Sequence, residues 1–198
     1  MEQNFESLRQ EIVDKSLEAF RQGLFSGTSG NMSCRVAPDE MLITPTSVRY
    51  DVLRAQDIVH MKLDGTVLEG ELQPSSEWRM HAAVYKAYPE TNAVFHTHSP
   101  YATAFAVVRR SIPAVLIEAR IFLGGDIRCA DYATPGTKEV GMNAVPALAG
   151  RGGCTLANHG VLAVGEDLAQ AYLRAEYIED VAKIYTYAKA IGEPVVLD

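Results

Sequence analysis

Apolar side chains at Phe5, Leu8, Ile12, Leu17 and Phe20 recur at close to helical spacing, and Gly23 follows where such a helix stops. Small, turn-forming residues from Ser26 to Asn31 then lead into Met32-Ser33-Cys34-Arg35-Val36, which predicts a loop feeding a strand. Met41 to Thr44 predicts a second strand, interrupted by Pro45. Ile58 to Leu63 alternates apolar and polar positions before a turn at Asp64-Gly65, the pattern of a hairpin. Pro74-Ser75-Ser76-Glu77 opens a helix: serine serves as N-cap, and an acid in the first turn suits the helix dipole. Trp78, Ala82, Tyr85 and Tyr88 mark one face of it, and Pro89 ends it. Val94 to His98 is a β-branched and aromatic strand, followed by a short helix from Tyr101 to Val108. A loop-rich stretch through Gly124-Gly125 to Gly136 leads into a helix from Thr137 to Leu148. Strands at Thr155–Ala157 and Val161–Val164 flank Asn158-His159-Gly160. A last helix spans Asp167 to Ile191, capped by Gly192 and stopped by Pro194. This irregular alternation predicts one α/β domain over residues 1–198, with a central mixed, mainly antiparallel sheet flanked by helices.

Composition narrows the function classes. The chain has 198 residues, 47% apolar and 22% charged, which is ordinary for a globular protein with a substantial core. Its net charge of −7 argues against a nucleic-acid or anionic-membrane surface, which needs clustered Lys and Arg. No apolar run reaches the length of a bilayer span. The acidic start, Met1 to Glu6, lacks the basic-then-apolar order of a leader peptide. Cys34, Cys129 and Cys154 are odd in number and form no Cys-x-x-Cys pair, so a reduced, cytoplasmic setting is expected. They read as small buried hydrophobes, not nucleophiles.

Candidate chemistry centres on histidine. His96 and His98 stand two apart on a predicted strand, so both imidazoles project from one face, about 7 Å apart at the backbone. Such a pair reaches a single metal ion or is merely polar surface. His159, between Asn158 and Gly160 where two strands meet, adds a third imidazole. Three histidines with an open position are the pattern of catalytic zinc, whereas structural sites are closed and thiolate-rich. Spacing alone leaves open whether His159 converges on the pair. Glu77 is a general base or a helix cap. Ser75 and Ser76 are N-caps or part of an anion site at the helix start. Gly27 to Asn31 and Thr44 to Ser47 are two further donor-rich loops. His60, on an amphipathic strand, and His81, one helical turn after Glu77, read as structural or solvated, with His81 lining the site as the alternative.

Taken in order, these segments resemble the class II aldolase/adducin family, in particular its fuculose-phosphate and rhamnulose-phosphate aldolases. The matching blocks are Gly27-Thr28-Ser29-Gly30-Asn31-Met32-Ser33, Leu42-Ile43-Thr44-Pro45-Thr46-Ser47 and Pro74-Ser75-Ser76-Glu77-Trp78-Arg79-Met80-His81. Then come His96-Thr97-His98, Tyr132-Ala133-Thr134-Pro135-Gly136-Thr137 and Asn158-His159-Gly160. The resemblance implies that His96, His98 and His159 bind a divalent metal, zinc or else manganese or cobalt. It implies that Glu77 moves the proton at the enediol carbon, and that Gly30, Asn31, Thr46, Ser47, Ser75 and Ser76 hold the phosphate of a ketose 1-phosphate. The activity implied is retro-aldol cleavage to dihydroxyacetone phosphate and an aldehyde, through a metal-stabilised enediolate that needs no Schiff-base lysine. A homotetramer with fourfold symmetry is implied as well.

Two positions depart from that pattern. Ser47 stands where the fuculose-phosphate aldolases have glycine. After Arg110-Ser111-Ile112-Pro113, the segment Ala114 to Glu118 lacks their tyrosine, leaving Glu118 or a metal-bound water as the aldehyde-side acid. Ile117 in that segment suits a deoxy or alkyl-substituted aldehyde. A pentulose-phosphate 4-epimerase, a sugar-acid-phosphate decarboxylase and a non-catalytic adducin-like interaction domain are the alternatives.

Overall fold

Strand β5 (Ala93–Thr97), buried along its whole length, runs through the middle of an eight-stranded sheet. The computed structural model describes residues 5–197, so most of the acidic start, Met1 to Glu6, lies outside the described residues. The other strands are β1 (Asn31–Ala37), β2 (Glu40–Ile43), β3 (Val59–Lys62), β4 (Val67–Glu69), β6 (Cys129–Ala130), β7 (Gly153–Leu156) and β8 (Gly160–Gly165). Their order across the sheet is β4-β3-β2-β1-β5-β8-β7-β6. Every neighbouring pair is antiparallel except β6 with β7, so the mixed, mainly antiparallel sheet is as expected.

Both faces of the sheet are covered, which is why its central strands are apolar at nearly every position. Alternate residues go to opposite sides. Phe95, Val161 and Ala163 join a core with α1 (Glu6–Arg21) and α6 (Leu168–Ile191). Residues of α3 (Pro100–Val107) and α4 (Ile117–Leu123) complete that side. Val94, Leu162 and Val164 pack on the other side against α2 (Trp78–Ala87) and α5 (Lys138–Leu148). His96 has the parity of Val94, which fixes the α2 side as the side of the site.

Four local expectations are corrected. Helix α2 starts at Trp78, so Glu77 occupies the N-cap position and not the first turn, and no side chain caps it. Strand β5 ends at Thr97, placing His98 one residue beyond it. The loop-rich stretch contains α4, a helix of 7 residues, and the short strand β6. Gly192 follows α6 in extended backbone, with φ −179°, instead of the left-handed cap expected of it. At the other end of α6, Asp167 accepts from the Gln170 N–H at 2.7 Å, a true N-cap. Among the described residues no helix is long and apolar enough to cross a membrane.

Candidate active site

Two tight connections deliver the histidines. The chain leaves β5 with His96 on the strand and His98 just past it. Between β7 and β8, Asn158 adopts a left-handed conformation, φ 54°, and its N–H donates to the Ala106 carbonyl at 3.0 Å. That turn swings His159 back over the end of β5. Gly160 permits the approach: a Cβ there would lie 2.3 Å from the Thr97 carbonyl oxygen and 3.1 Å from carbons of both His96 and His98.

The three imidazoles pack edge to face, with ring centroids 4.7 to 5.2 Å apart. His96 Nε2 lies 3.0 Å from His98 Nε2, Glu77 Oε2 lies 3.2 Å from His96 Nε2, and Glu77 Oε1 lies 3.0 Å from His159 Nε2. One ligand atom from each of Glu77, His96, His98 and His159 falls within 4.8 Å of the others. The structure thus brings His159 to the His96-His98 pair, the point that spacing left open.

The donor set fits a divalent cation. His96 Nδ1 is 2.8 Å from the Val161 carbonyl, which can only accept, so the proton sits on Nδ1 and Nε2 presents a lone pair. That lone pair faces a carboxylate oxygen and another imidazole, an arrangement a shared cation relieves. Backbone anchoring of the distal ring nitrogen is also how metal-bound histidines are held. Glu77 Oε1 is buried with only the His159 Nε2 approach and no well-aligned hydrogen bond, and His159 Nδ1 is orphaned. Burial favours neutral Glu77, but positive charge beside it, from protonated His96 and His159 rings or from a cation in their place, outweighs this and holds the carboxyl well below the usual carboxylate range. Burial, with His96 and His159 alongside, pushes His98 down to about 4, leaving it neutral and competent as a ligand near neutral pH.

The cluster opens into a cleft of about 340 Å3 lined by all three donor-rich loops. Gly30, Asn31, Thr46, Ser47, Ser75 and Ser76 line it together with Glu77, His98 and His159. These loops are fastened to one another. Thr46 N–H donates to the Gln73 carbonyl and Ser75 N–H to the Thr44 carbonyl, each at 3.0 Å, and Thr44 Oγ1 accepts from the Met32 N–H at 3.2 Å. Gly30, φ 91°, has its carbonyl bound by the Tyr50 hydroxyl at 2.6 Å, and a Cβ there would strike the Phe25 ring. Pro135 and Gly136, from the Tyr132 to Thr137 block, line the same cleft.

Some assignments come out differently. The Asn31 side chain is spent internally: its amide nitrogen donates to Glu77 Oε2 at 2.8 Å and its oxygen meets His81 Nε2 at 2.5 Å. His81, read as structural or solvated, is fully buried behind the site. Ile117 and Glu118 sit at the start of α4 and are not among the residues of this chain that line the cleft. His60 pairs with Glu40 at 2.8 Å, far from the cluster in the sheet order. Burial pushes the Cys34 thiol up to about 12, and Cys154 is fully buried with its thiol raised as well, in keeping with inert thiols.

Residues 10–186 match the family described as Class II Aldolase and Adducin N-terminal domain. The chain belongs to that family. It is 42% identical over 195 residues to an L-fuculose phosphate aldolase of Escherichia coli K12, covering 98% of this chain and 89% of that protein. It is 39% identical over 191 residues to a 5-methylthioribulose-1-phosphate/5-deoxyribulose-1-phosphate aldolase of Rhodospirillum rubrum, covering 96% and 86%. Among solved structures, an L-fuculose 1-phosphate aldolase superposes with a TM-score of 0.92 at 40% identity, covering 97% of this chain and 91% of that one. As in those class II aldolase relatives, the fold is one mixed α/β sheet flanked by helices.

Proposed function

We propose that this chain is a lyase, a metal-dependent class II aldolase that cleaves a ketose 1-phosphate into dihydroxyacetone phosphate and an aldehyde. The observation that carries the proposal is the convergence of Glu77, His96, His98 and His159 at the mouth of a cleft lined by three loops rich in N–H and hydroxyl donors. His96, His98 and His159 hold the cation, for which zinc is favoured by the nitrogen-rich set over manganese or cobalt. When bound, it acts as a Lewis acid that draws charge from the carbonyl and neighbouring hydroxyl oxygens of the sugar.

The rest falls to the chain. The phosphate sits among Gly30, Thr46, Ser47, Ser75 and Ser76, with Asn31 at its inner edge, and this remote anchor orients the bond to be broken. Cleavage leaves an electron pair on the carbon beside the carbonyl. As the bond breaks, the aldehyde-side hydroxyl gives up its proton; Glu77, fixed by Asn31 and having taken up a proton equivalent, delivers one to that carbon, and in the reverse, bond-forming direction its carboxylate removes that proton while the aldehyde oxygen regains one.

Family membership over residues 10–186 supports reading 1–198 as one domain. Exposed apolar side chains at Val107, Val108, Ile117, Ile121 and Met142 support a homo-oligomer, taken as a homotetramer. Free thiols at Cys34, Cys129 and Cys154 support a cytoplasmic setting. The test is incubation with fuculose, rhamnulose, ribulose, deoxyribulose and methylthioribulose 1-phosphates, following dihydroxyacetone phosphate with and without a chelator. Chelator-sensitive release from one of them establishes the aldolase and names its aldehyde. Metal-loaded protein that releases none refutes it and points to the epimerase or decarboxylase chemistry.

A further inference from the structure

Behind Glu77 the protein holds four polar side chains in a single file, all buried. Asn31 and Ser33 stand two apart on β1, on the face that pairs with β5 opposite His96 and Val94. His81 and Tyr85 stand four apart on α2, in line with Glu77 four residues before. Two ladders, one with strand period and one with helix period, meet side by side. Tyr85 Oη is 2.7 Å from Ser33 Oγ, Ser33 Oγ is 2.6 Å from His81 Nδ1, and His81 Nε2 is 2.5 Å from Asn31 Oδ1. Asn31 Nδ2 then reaches Glu77 Oε2 at 2.8 Å.

The direction of every hydrogen bond in this file follows from its last member. An ionised carboxylate only accepts, so Asn31 turns its NH2 towards Glu77 and its oxygen towards His81. That oxygen only accepts, so His81 carries its proton on Nε2. Nδ1 is then the acceptor, which makes Ser33 the donor to His81 and Tyr85 the donor to Ser33. Reversing His81 to the Nδ1–H tautomer would set two acceptors face to face at 2.5 Å. At the far end of the file, Arg35 donates to the Tyr85 carbonyl at 2.6 Å and lies over its ring.

We infer that His81 is a positioning residue for the reaction, acting through Asn31 to hold the Glu77 carboxylate at one angle to the reacting carbon. Without His81, the buried Asn31 Oδ1 loses its donor and the Glu77 carboxylate alone is left to orient the amide. Its flipped form presents a carbonyl to the carboxylate and repels it from its place. The inference rests on the proton-moving role proposed for Glu77, although the relay itself is independent of that role.

The test has a spectroscopic and a kinetic arm. In uniformly 15N-labelled protein, with and without bound zinc, the His81 ring is assigned by its loss in H81Q. It is expected to show the Nε2–H tautomer across neutral pH, and the Nδ1–H tautomer overturns the relay. Kinetically, H81L is expected to lower kcat about 10–100-fold, the usual size of such supporting-residue effects. KM for the cleaved ketose phosphate and zinc per chain stay within about twofold. H81Q, whose amide can still donate to Asn31, recovers most of the loss. Wild-type kcat in H81L overturns the inference, as does an H81Q as impaired as H81L with metal and KM lost together. Should H81L fail to fold, the tautomer decides the relay and H81Q against Y85F decides the kinetics: Y85F, which leaves the donor to Asn31 in place, is then the milder. If the wild type cleaves none of the substrates, the proposed function falls while the tautomer still reports on the relay.

Discussion

The Nδ1–H of His96 donates to the Val161 carbonyl at 2.8 Å, a bond between neighbouring strands β5 and β8 that turns the Nε2 lone pair onto Glu77 and His98. A site of this kind is electrostatically incomplete without a cation, and the expected outcome is one divalent ion per chain in the native protein. A ligand that binds only the folded state at about 1,000 times its Kd stabilises it by about 4 kcal/mol. For a chain of this size that raises Tm by roughly 8–16 °C. Calorimetry before and after exhaustive chelation measures it, and an unchanged Tm with unchanged metal content rejects the site.

Glu77→Gln tests the carboxylate separately from the ion. The amide matches the acid in shape but cannot carry the proton. The expected kcat falls by about 10²–10⁴, the usual worth of a general acid–base group. Three imidazoles remain to hold the metal, so metal content by mass spectrometry should stay at one per chain. Unchanged turnover would remove Glu77 from the chemistry.

Much of this site could be read along the chain, and the exceptions have physical causes. The His96-Thr97-His98 spacing declared a shared strand face because strand periodicity is short and rigid. The contribution of His159 depended on a left-handed Asn158 and on the close packing of Gly160, which spacing does not encode. Glu77 carried the signature of a capping acid, yet its carboxylate turns inward to the imidazoles and the helix begins after it. His81 and Asn31 escaped notice as partners because their link crosses from α2 to β1. The one available signal was the four-residue rhythm Glu77, His81, Tyr85 beside the two-residue rhythm Asn31, Ser33. Helix α4 was missed because 7 residues with exposed Ile117, Ile121 and Phe122 show no apolar-to-polar alternation.

Ser47 sits at φ 61°, a left-handed conformation that costs a non-glycine residue about 1–2 kcal/mol. Ser47→Gly relieves that cost and gives back about 0.4–1 kcal/mol through the freer unfolded chain. Relief wins, so the variant is expected to gain up to about 1 kcal/mol in urea unfolding. KM for the ketose phosphate should change by less than about threefold, because the substitution keeps a backbone N–H at this cleft-lining position. A loss of stability would show that the Ser47 hydroxyl contributes more than its backbone strain costs.

Acid should weaken the fold through His81. Burial pushes its pKa down from 6.5 to about 3, so the folded state refuses a proton that the unfolded chain takes up. The unfolded chain then binds more protons below pH 6.5, and stability rises with pH from about 3 to 6.5 and is level above it. One such group gives a slope approaching about 1.4 kcal/mol per pH unit. Metal-free wild type and H81Q, unfolded in urea from pH 4.5 to 7.5, should differ in slope by roughly this amount below pH 6.5 and run parallel above it. Parallel lines throughout would mean that His81 is protonated in the fold.

Gly160 offers the sharpest steric test of how the strands build the site. An added methyl would meet the Thr97 carbonyl oxygen at 2.3 Å, and backbone in the middle of a sheet cannot step aside as a flexible side chain would. Either β8 separates from β5 or the His96 and His98 rings, each 3.1 Å from the new carbon, are driven off their common point. Both routes predict the same pair of losses. Gly160→Ala should cost about 1–3 kcal/mol, the range for overpacking a dense interior, and should release the metal. Gly192→Ala is the matched control: its φ is −179° and no atom lies within 4 Å of the added carbon. It should change stability by no more than about 0.5 kcal/mol and leave metal binding intact. If Gly160→Ala were equally silent, the close approach of paired strands β5 and β8 that assembles the three histidines would be wrong.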